Sequence, residues 1–188
     1  MESKNQHDPS VLIELAKQGD SSAFGILYKM YFTPVFRYIY FRVKDKKTAE
    51  DLVQSVFLKA YESISGFREQ GKDPLAYFFT IARNAVIDYW RKKKEILMEG
   101  NEEILDKVRD TEASPLEFIE KGDKAAVLKE AIKNLTDDQQ EIINLKFISD
   151  LSNAEISKIT GKNEDAIRQL QSRALKNLRE ILKENKLI

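Results

Sequence analysis

The chain has 188 residues, of which 42% are hydrophobic and 33% charged, which suits one or two small helical domains with solvated faces. It has no Cys, so disulfides, thiolate chemistry and cysteine zinc sites are excluded, and its single His7 lies in an N-terminus expected to fray, so no His-based triad or His-metal cluster is expected. Net charge is zero but unevenly laid out: residues 1–94 carry 16 Lys+Arg against 11 Asp+Glu (+5), residues 95–123 carry 3 against 10 (−7), and residues 124–188 carry 12 against 10 (+2).

Asp8-Pro9 opens a short helix to about Gln18, closed by Gly19. Asp20 caps a longer one, with Phe24, Leu27, Tyr28 and Tyr31 at helical spacing. Pro34 is expected to kink or break it before Val35, Phe36, Ile39 and Tyr40 resume the pattern. Lys44 to Lys47 make a polar turn, and Thr48 with Asp51 is expected to cap the next helix, TAEDLVQSVFLKAYESI. Its apolar side is Leu52, Val53, Val56, Phe57, Ala60 and Ile64, which leaves Asp51, Gln54 and Ser55 on the surface. After a loop from Gly66 to Lys72, Asp73 and Pro74 start a long helix, LAYFFTIARNAVIDYWRKKK. Leu75, Phe78, Phe79, Ala82, Val86 and Tyr89 point to one side of it, and Thr80, Asn84, Asp88 and Arg91 to another. The basic end Arg91–Lys94, beside exposed aromatics and amides, suits a nucleic-acid backbone and unpaired bases, although it also suits the helix dipole.

Residues 95–114 are acidic and lack sustained periodicity, which predicts a flexible linker. Ser114, Pro115 and Glu117 then form a capping box for a helix running through Phe118, Ile119 and Ala125 towards Leu135. No strand-like alternation occurs anywhere, so the predicted fold is all-α: two small helical domains, 8–94 and 115–185, joined by an acidic linker at 95–114.

The C-terminal stretch is the most informative. Thr136 with Gln139, and Ser152 with Glu155, are capping boxes, and Gly161 sits in a tight turn between two helices. Ile156 and Ile159 line the first helix, while Ile167, Leu170, Ala174, Leu178 and Ile181 line the second. This is a helix-turn-helix pattern. The outer face of the second helix carries Glu164, Asp165, Arg168, Gln169, Ser172, Arg173 and Lys176, a mixture able to meet phosphates and base edges. Thr160 and Lys162 are polar where such motifs more often bury an aliphatic. An amphipathic helix pair with a merely solvated face would share these features, and the N-terminal half has to decide.

No apolar run approaches the roughly 20 residues of a membrane span, and the polar start MESKNQHDPS has no secretory signal, so a cytoplasmic protein without membrane insertion is expected. No glycine-rich phosphate loop follows a strand, and the carboxylate pairs Glu50–Asp51 and Asp137–Asp138 fall at predicted helix starts, where the dipole stabilises negative charge. No enzyme, metal or cofactor is expected.

Three stretches carry a family resemblance: AEDLVQSVFLKAYESISGFR (49–68), IARNAVIDYWRKKK (81–94) and LTDDQQEIINLKFISDLSNAEISKITGKNEDAIRQLQSRALKNLR (135–179). In this order around a variable linker they resemble a bacterial RNA polymerase sigma factor of the sigma-70 family, specifically the short extracytoplasmic-function (ECF) type lacking region 1.1 and region 3. The resemblance implies that the first domain is region 2, docking through Asp51, Gln54 and Ser55 on the β′ clamp helices of core RNA polymerase. The long helix would recognise and melt the minus-ten promoter element through Asn84, Asp88, Arg91 and Lys92, with the loop Ser65–Lys72 as the pocket for a flipped-out base. Tyr77 stands where many members have Trp. The second domain would be region 4, binding the minus-thirty-five element with Lys162, Arg168, Gln169, Ser172, Arg173 and Lys176, and also contacting the β flap. Leu170-Gln171 replaces the Arg-Leu of many relatives. The acidic linker would thread towards the RNA exit path. Promoter DNA and core polymerase are thus the implied partners, with an anti-sigma factor as a further candidate, in a stress or envelope-signal response.

Two other readings remain at this point. A helix-turn-helix regulator working without polymerase would suit residues 135–159, but would need a sensing domain, for which residues 8–94 show no strands. A helical adaptor binding only proteins would not explain Arg91–Lys94 following Asn84 and Asp88.

Overall fold

The structure is a computed structural model describing residues 8–67, 74–98, 128 and 131–184, all of them in helices or the turns between them. The expected caps at Asp73 and Ser114, residues 99–114 of the linker, positions 68–72 of the loop, and His7 lie outside the described residues. So does the helix expected from Pro115, apart from Leu128 and 131–133. The chain divides into two compact units, Met1–Thr111 and Glu112–Ile188.

In the first unit, α1 (Pro9–Lys17) starts at Asp8, whose Oδ1 accepts from Ser10 N–H at 2.9 Å. The chain reverses at Gly19, where φ is +94°. α2 (Ser21–Val43) is capped by Asp20, whose carboxylate accepts from the N–H groups of Ser22 and Ala23. Of the kink or break expected at Pro34, the break does not occur: α2 runs on as one helix to Val43. Pro34 removes one helical hydrogen bond and costs about 3 kcal/mol in an isolated helix, but Tyr31, Val35, Tyr38 and Ile39 are buried on both sides of it and offset that loss.

Lys44 ends α2 in the left-handed region, with its N–H on Tyr40 O at 2.8 Å. α3 (Lys46–Ser63) then begins two residues before the expected cap. Its N-cap is Asp45, accepting from Thr48 N–H at 2.7 Å, so Thr48 is the third residue of the helix and not its cap. An extended aspartate satisfies the orphan N–H there, and Asp51 consequently falls beyond the first turn. A 3₁₀ turn, Ile64–Gly66, closes α3. α4 (Pro74–Met98) continues four residues past Lys94, into the stretch expected to be linker.

Phe78 holds this unit together. It is fully buried, with ring centroids of Tyr31 and Phe57 at 5.2 Å, Tyr77 at 5.4 Å and Phe24 at 6.3 Å. Rings from α2, α3 and α4 thus meet on one side chain. Phe79 points to Tyr38 instead, at 5.4 Å. Tyr77 ties α4 to the end of α3: its hydroxyl donates to Ala60 O at 2.9 Å and pairs with Ser63 Oγ at 2.8 Å, while its ring lies on Phe67. Burial pushes its pKa above the ordinary 10.0, opposed in part by the Ser63 hydrogen bond. The folded state therefore favours the protonated phenol, so its stabilising contribution is intact below pH 10.0 and is lost as pH rises through the higher folded value. Tyr77→Phe should cost about 1 kcal/mol at neutral pH and flatten the alkaline end of the stability profile, measured by urea unfolding at several pH values.

The second unit holds helical backbone at 131–133, then α5 (Asp137–Ile143), α6 (Asn153–Thr160) and α7 (Glu164–Glu184). Both expected capping boxes are formed, Thr136 with Gln139 and Ser152 with Glu155. α5 closes in a π-turn, Asn144–Ile148, that the periodicity did not indicate. Ile142, Leu145, Leu151, Ile156, Ile159, Ile167, Ala174 and Leu178 form the core. Leu170 and Ile181, expected on the same stripe, are half-buried at its edge. Gly161 ends α6 at φ +72°, and a Cβ there would meet nothing within 4 Å. The backbone angle, not lack of room, requires the glycine.

Candidate nucleic-acid and polymerase interfaces

On α3, burial of Ala49, Val53, Val56, Phe57 and Ala60 turns the opposite side to solvent, and Asp51, Gln54 and Ser55 are all exposed there. Phe57, by contrast, belongs to the core. Ser55 Oγ donates to Asp51 O at 3.0 Å, so its hydroxyl hydrogen is already engaged. Sequence reasoning missed Leu58. It is 60% exposed, seven residues after Asp51 and four after Gln54, and therefore on the same face. The signal was present, because a leucine at the polar phase of an amphipathic helix has no core to enter. Glu50 pairs with Lys46 at 3.9 Å.

On α4, the burial of Phe78, Phe79, Ala82 and Val86 fixes the outward strip. Asn84, Asp88 and Arg91 are exposed along it, and Arg91 reaches back to Asp88 at 3.1 Å. Lys92 is also exposed, one position further round the helix. Thr80, at the head of the strip, is half-buried and spends its hydroxyl on Ala76 O. The basic run lies within a continuing helix, so the C-terminal dipole that was the alternative explanation for it acts four residues further on.

On α7, Ile167, Ala174 and Leu178 face the core, and Arg168, Gln169, Ser172, Arg173 and Lys176 are exposed opposite. Asn163 Oδ1 accepts from Ala166 N–H at 2.7 Å and caps the helix start. Gln171 Nε2 donates to Asn153 Oδ1 at 2.8 Å, tying α6 to α7. Arg168 is held by Asp165 at 2.7 Å and by Glu164 at 3.4 Å, and the Asp165 hydrogen bond raises its already high pKa, so it is always charged. Lys176 pairs loosely with Glu180 at 3.9 Å. The polar residues at the turn are accounted for: Thr160 Oγ1 donates to Ile156 O and accepts from Lys162 N–H, while Lys162 Nζ reaches Asp138 on α5 at 3.1 Å. Pairs this open to solvent contribute little to stability, so each cation can exchange its carboxylate for a phosphate or base edge at little cost.

Among the described residues no group of His, Asp and Glu could hold a metal ion, and no helix is long and apolar enough to cross a membrane.

Residues 27–96 match the family described as Sigma-70 region 2, and residues 125–178 match Sigma-70, region 4. The ECF RNA polymerase sigma factor SigM of Bacillus subtilis is 31% identical over 153 residues, covering 81% of this chain and 91% of the relative. The chain belongs to the sigma-70 family, in its ECF group. Its function is that of the family, promoter-specific initiation of transcription with RNA polymerase. The ECF sigma factor BldN of Streptomyces coelicolor is 42% identical over 171 residues, 91% of this chain, and the chain spans 64% of that relative's length. Among solved structures, the sigma factor RpoE of Bartonella quintana, in complex with the anti-sigma factor NepR, matches with a TM-score of 0.69 at 26% identity, over 85% of this chain and 96% of that one. CnrH, in complex with the cytosolic domain of CnrY, has a TM-score of 0.71 at 19% identity over 95% and 98% of the two chains, which shows a shared fold.

Proposed function

We propose that this sigma factor divides its work among three surfaces. The α3 face (Asp51, Gln54, Ser55, with Leu58 added) docks on the β′ clamp helices of core polymerase. The α4 face (Asn84, Asp88, Arg91, Lys92) captures the melted minus-ten element. The α7 face, with Lys162 at its entrance, reads the minus-thirty-five element as duplex, in a unit that also contacts the β flap. In this reading 8–94 is region 2, 115–185 is region 4, and the acidic stretch between them threads through the polymerase. The observation carrying it is the placement of both N-terminal residue sets on the exposed sides of helices whose other sides share one aromatic core. RpoE of Bartonella quintana is seen in complex with the anti-sigma factor NepR, and in the same way this chain would bind an anti-sigma factor in the cytoplasm until a stress or envelope signal releases it. It acts as a binding subunit and not as a catalyst.

Transcription in vitro with core enzyme on a matched promoter is the test, and transcription or tight promoter binding by the chain without core would favour a polymerase-independent regulator. For the α7 face, Arg168→Ala should lower upstream-element affinity roughly five- to a hundredfold, with relaxed preference at one base pair, if the guanidinium makes a bidentate base contact. A uniform loss across sequences with a shallower salt slope would assign Arg168 to phosphate alone.

A further inference from the structure

Gln171 stands on the shoulder of α7. It lies about 40° round the helix from buried Ile167 and about 60° from exposed Arg168, so it belongs to neither the core stripe nor the outward strip. It is half-buried, and its Nε2 donates to Oδ1 of Asn153, the first residue of α6, at 2.8 Å. The place of this bond in the helix pair matters. One end of the pair is closed by the turn, where Gly161 sits at φ +72° and Thr160 Oγ1 accepts from Lys162 N–H. Asn153 comes eight residues before Gly161 and Gln171 ten after it, so their bond joins the helices at the open end, roughly 12 Å from the turn.

The sides that α6 and α7 bury, Ile156 and Ile159 on one and Ile167 and Ala174 on the other, attract without direction. A hydrogen bond is directional and weakens steeply once its angle is lost. A leucine at position 171 would add apolar area, whereas glutamine adds a fixed orientation. We infer that Gln171, acting through Asn153, is a positioning residue for upstream-element recognition, holding α7 at the roll that aims Arg168, Gln169 and Ser172 at base edges. The inference rests on the reading of α7 as the duplex reader and adds to it a residue that acts without touching DNA. Contacts to base edges depend on angle, whereas attraction to phosphates survives a change of it. Loss of the brace therefore costs discrimination between sequences and leaves non-specific affinity in place.

The test uses holoenzyme assembled from core polymerase and the full chain, and compares affinity for a promoter duplex that it transcribes with affinity for the same duplex carrying a scrambled upstream element. Gln171→Ala and Asn153→Ala should each lower that ratio about fivefold, and the double variant no further than either alone, with affinity for the scrambled duplex and for core unchanged. Asn153→Asp keeps an oxygen to accept from Gln171 and should retain the ratio. Equal losses on both duplexes would make the bond structural only and overturn the proposal. So would additive losses, or a loss in Gln171→Ala without one in Asn153→Ala, which would mean that Gln171 touches DNA itself. An unchanged ratio in both single variants removes the brace and keeps α7 as the reader. A wild-type holoenzyme that does not distinguish the two duplexes removes both.

Discussion

Phe78→Ala is expected to lower the stability of the N-terminal unit by about 3–5 kcal/mol, the range for deleting a fully buried phenylalanine. The side chain has no exposed area and is the meeting point of Phe24, Tyr31, Phe57 and Tyr77, so its loss leaves a cavity that no single helix can close. The edge-to-face contact with Tyr77 adds to the area term. Against a typical domain stability of about 5–15 kcal/mol, the unit would be marginal or unfolded at 37 °C. The functional consequence is specific, because α3 and α4 carry their exposed faces on helices oriented through this ring. Core docking and minus-ten capture should fail together, while amide protection of α6 and α7 persists. Phe36→Ala is the control: Phe36 is half-buried, stacked between Phe32 and Tyr40 at centroid distances of 6.1 and 5.6 Å, and should cost distinctly less. Chemical unfolding followed by circular dichroism measures both, and equal costs would refute the central role of Phe78.

The parts of this molecule that were legible in its sequence are those decided locally. Asp8, Asp20, Thr136 with Gln139, Ser152 with Glu155, and Gly161 announce helix ends because each satisfies a backbone group within a few residues of itself. The long periodic stripes of α4 and α7 were equally plain, since an apolar set recurring every three or four residues has only one way to be buried together. What was missed depended on competition or distance. Asp45 and Thr48 both suited a cap, and the earlier residue won because the chain is already extended there. Pro34 was overridden by burial on α2. The end of α4 was placed by charge composition, yet acidic residues do not stop a helix, and Glu95, Leu97 and Met98 are good helix formers. The exchange pairs, Lys162 with Asp138 and Arg168 with Asp165, depend on side-chain geometry that spacing alone does not rank.

The corrected start of α3 also sharpens what Asp51 does. Had the helix begun at Thr48, its carboxylate would sit near the positive end of the dipole and need no other explanation. With the helix starting at Lys46, no acidic residue lies in the first turn and the dipole gives Asp51 little, because the effect fades within that turn. Asp51 is exposed, and Leu58 shares its face. An acidic residue one end of a strip and a bare leucine at the other fit a partner helix that is basic at one end and apolar at the other, the polar-rimmed apolar contact that concentrates binding energy. Asp51→Arg should therefore oppose a partner cation, and Leu58→Asp should bury an unpaired charge. Each is expected to weaken core polymerase binding by about thirtyfold or more, and the pair by less than the product, since they share one interface. All these positions are exposed, so helix content and melting temperature should hold, which separates lost docking from lost folding. Ser55→Ala should do little, because that hydroxyl already donates to Asp51 O. A competition assay against a labelled sigma factor for core enzyme reads all four variants. Undiminished binding by the Asp51→Arg, Leu58→Asp double variant would move the docking surface off α3.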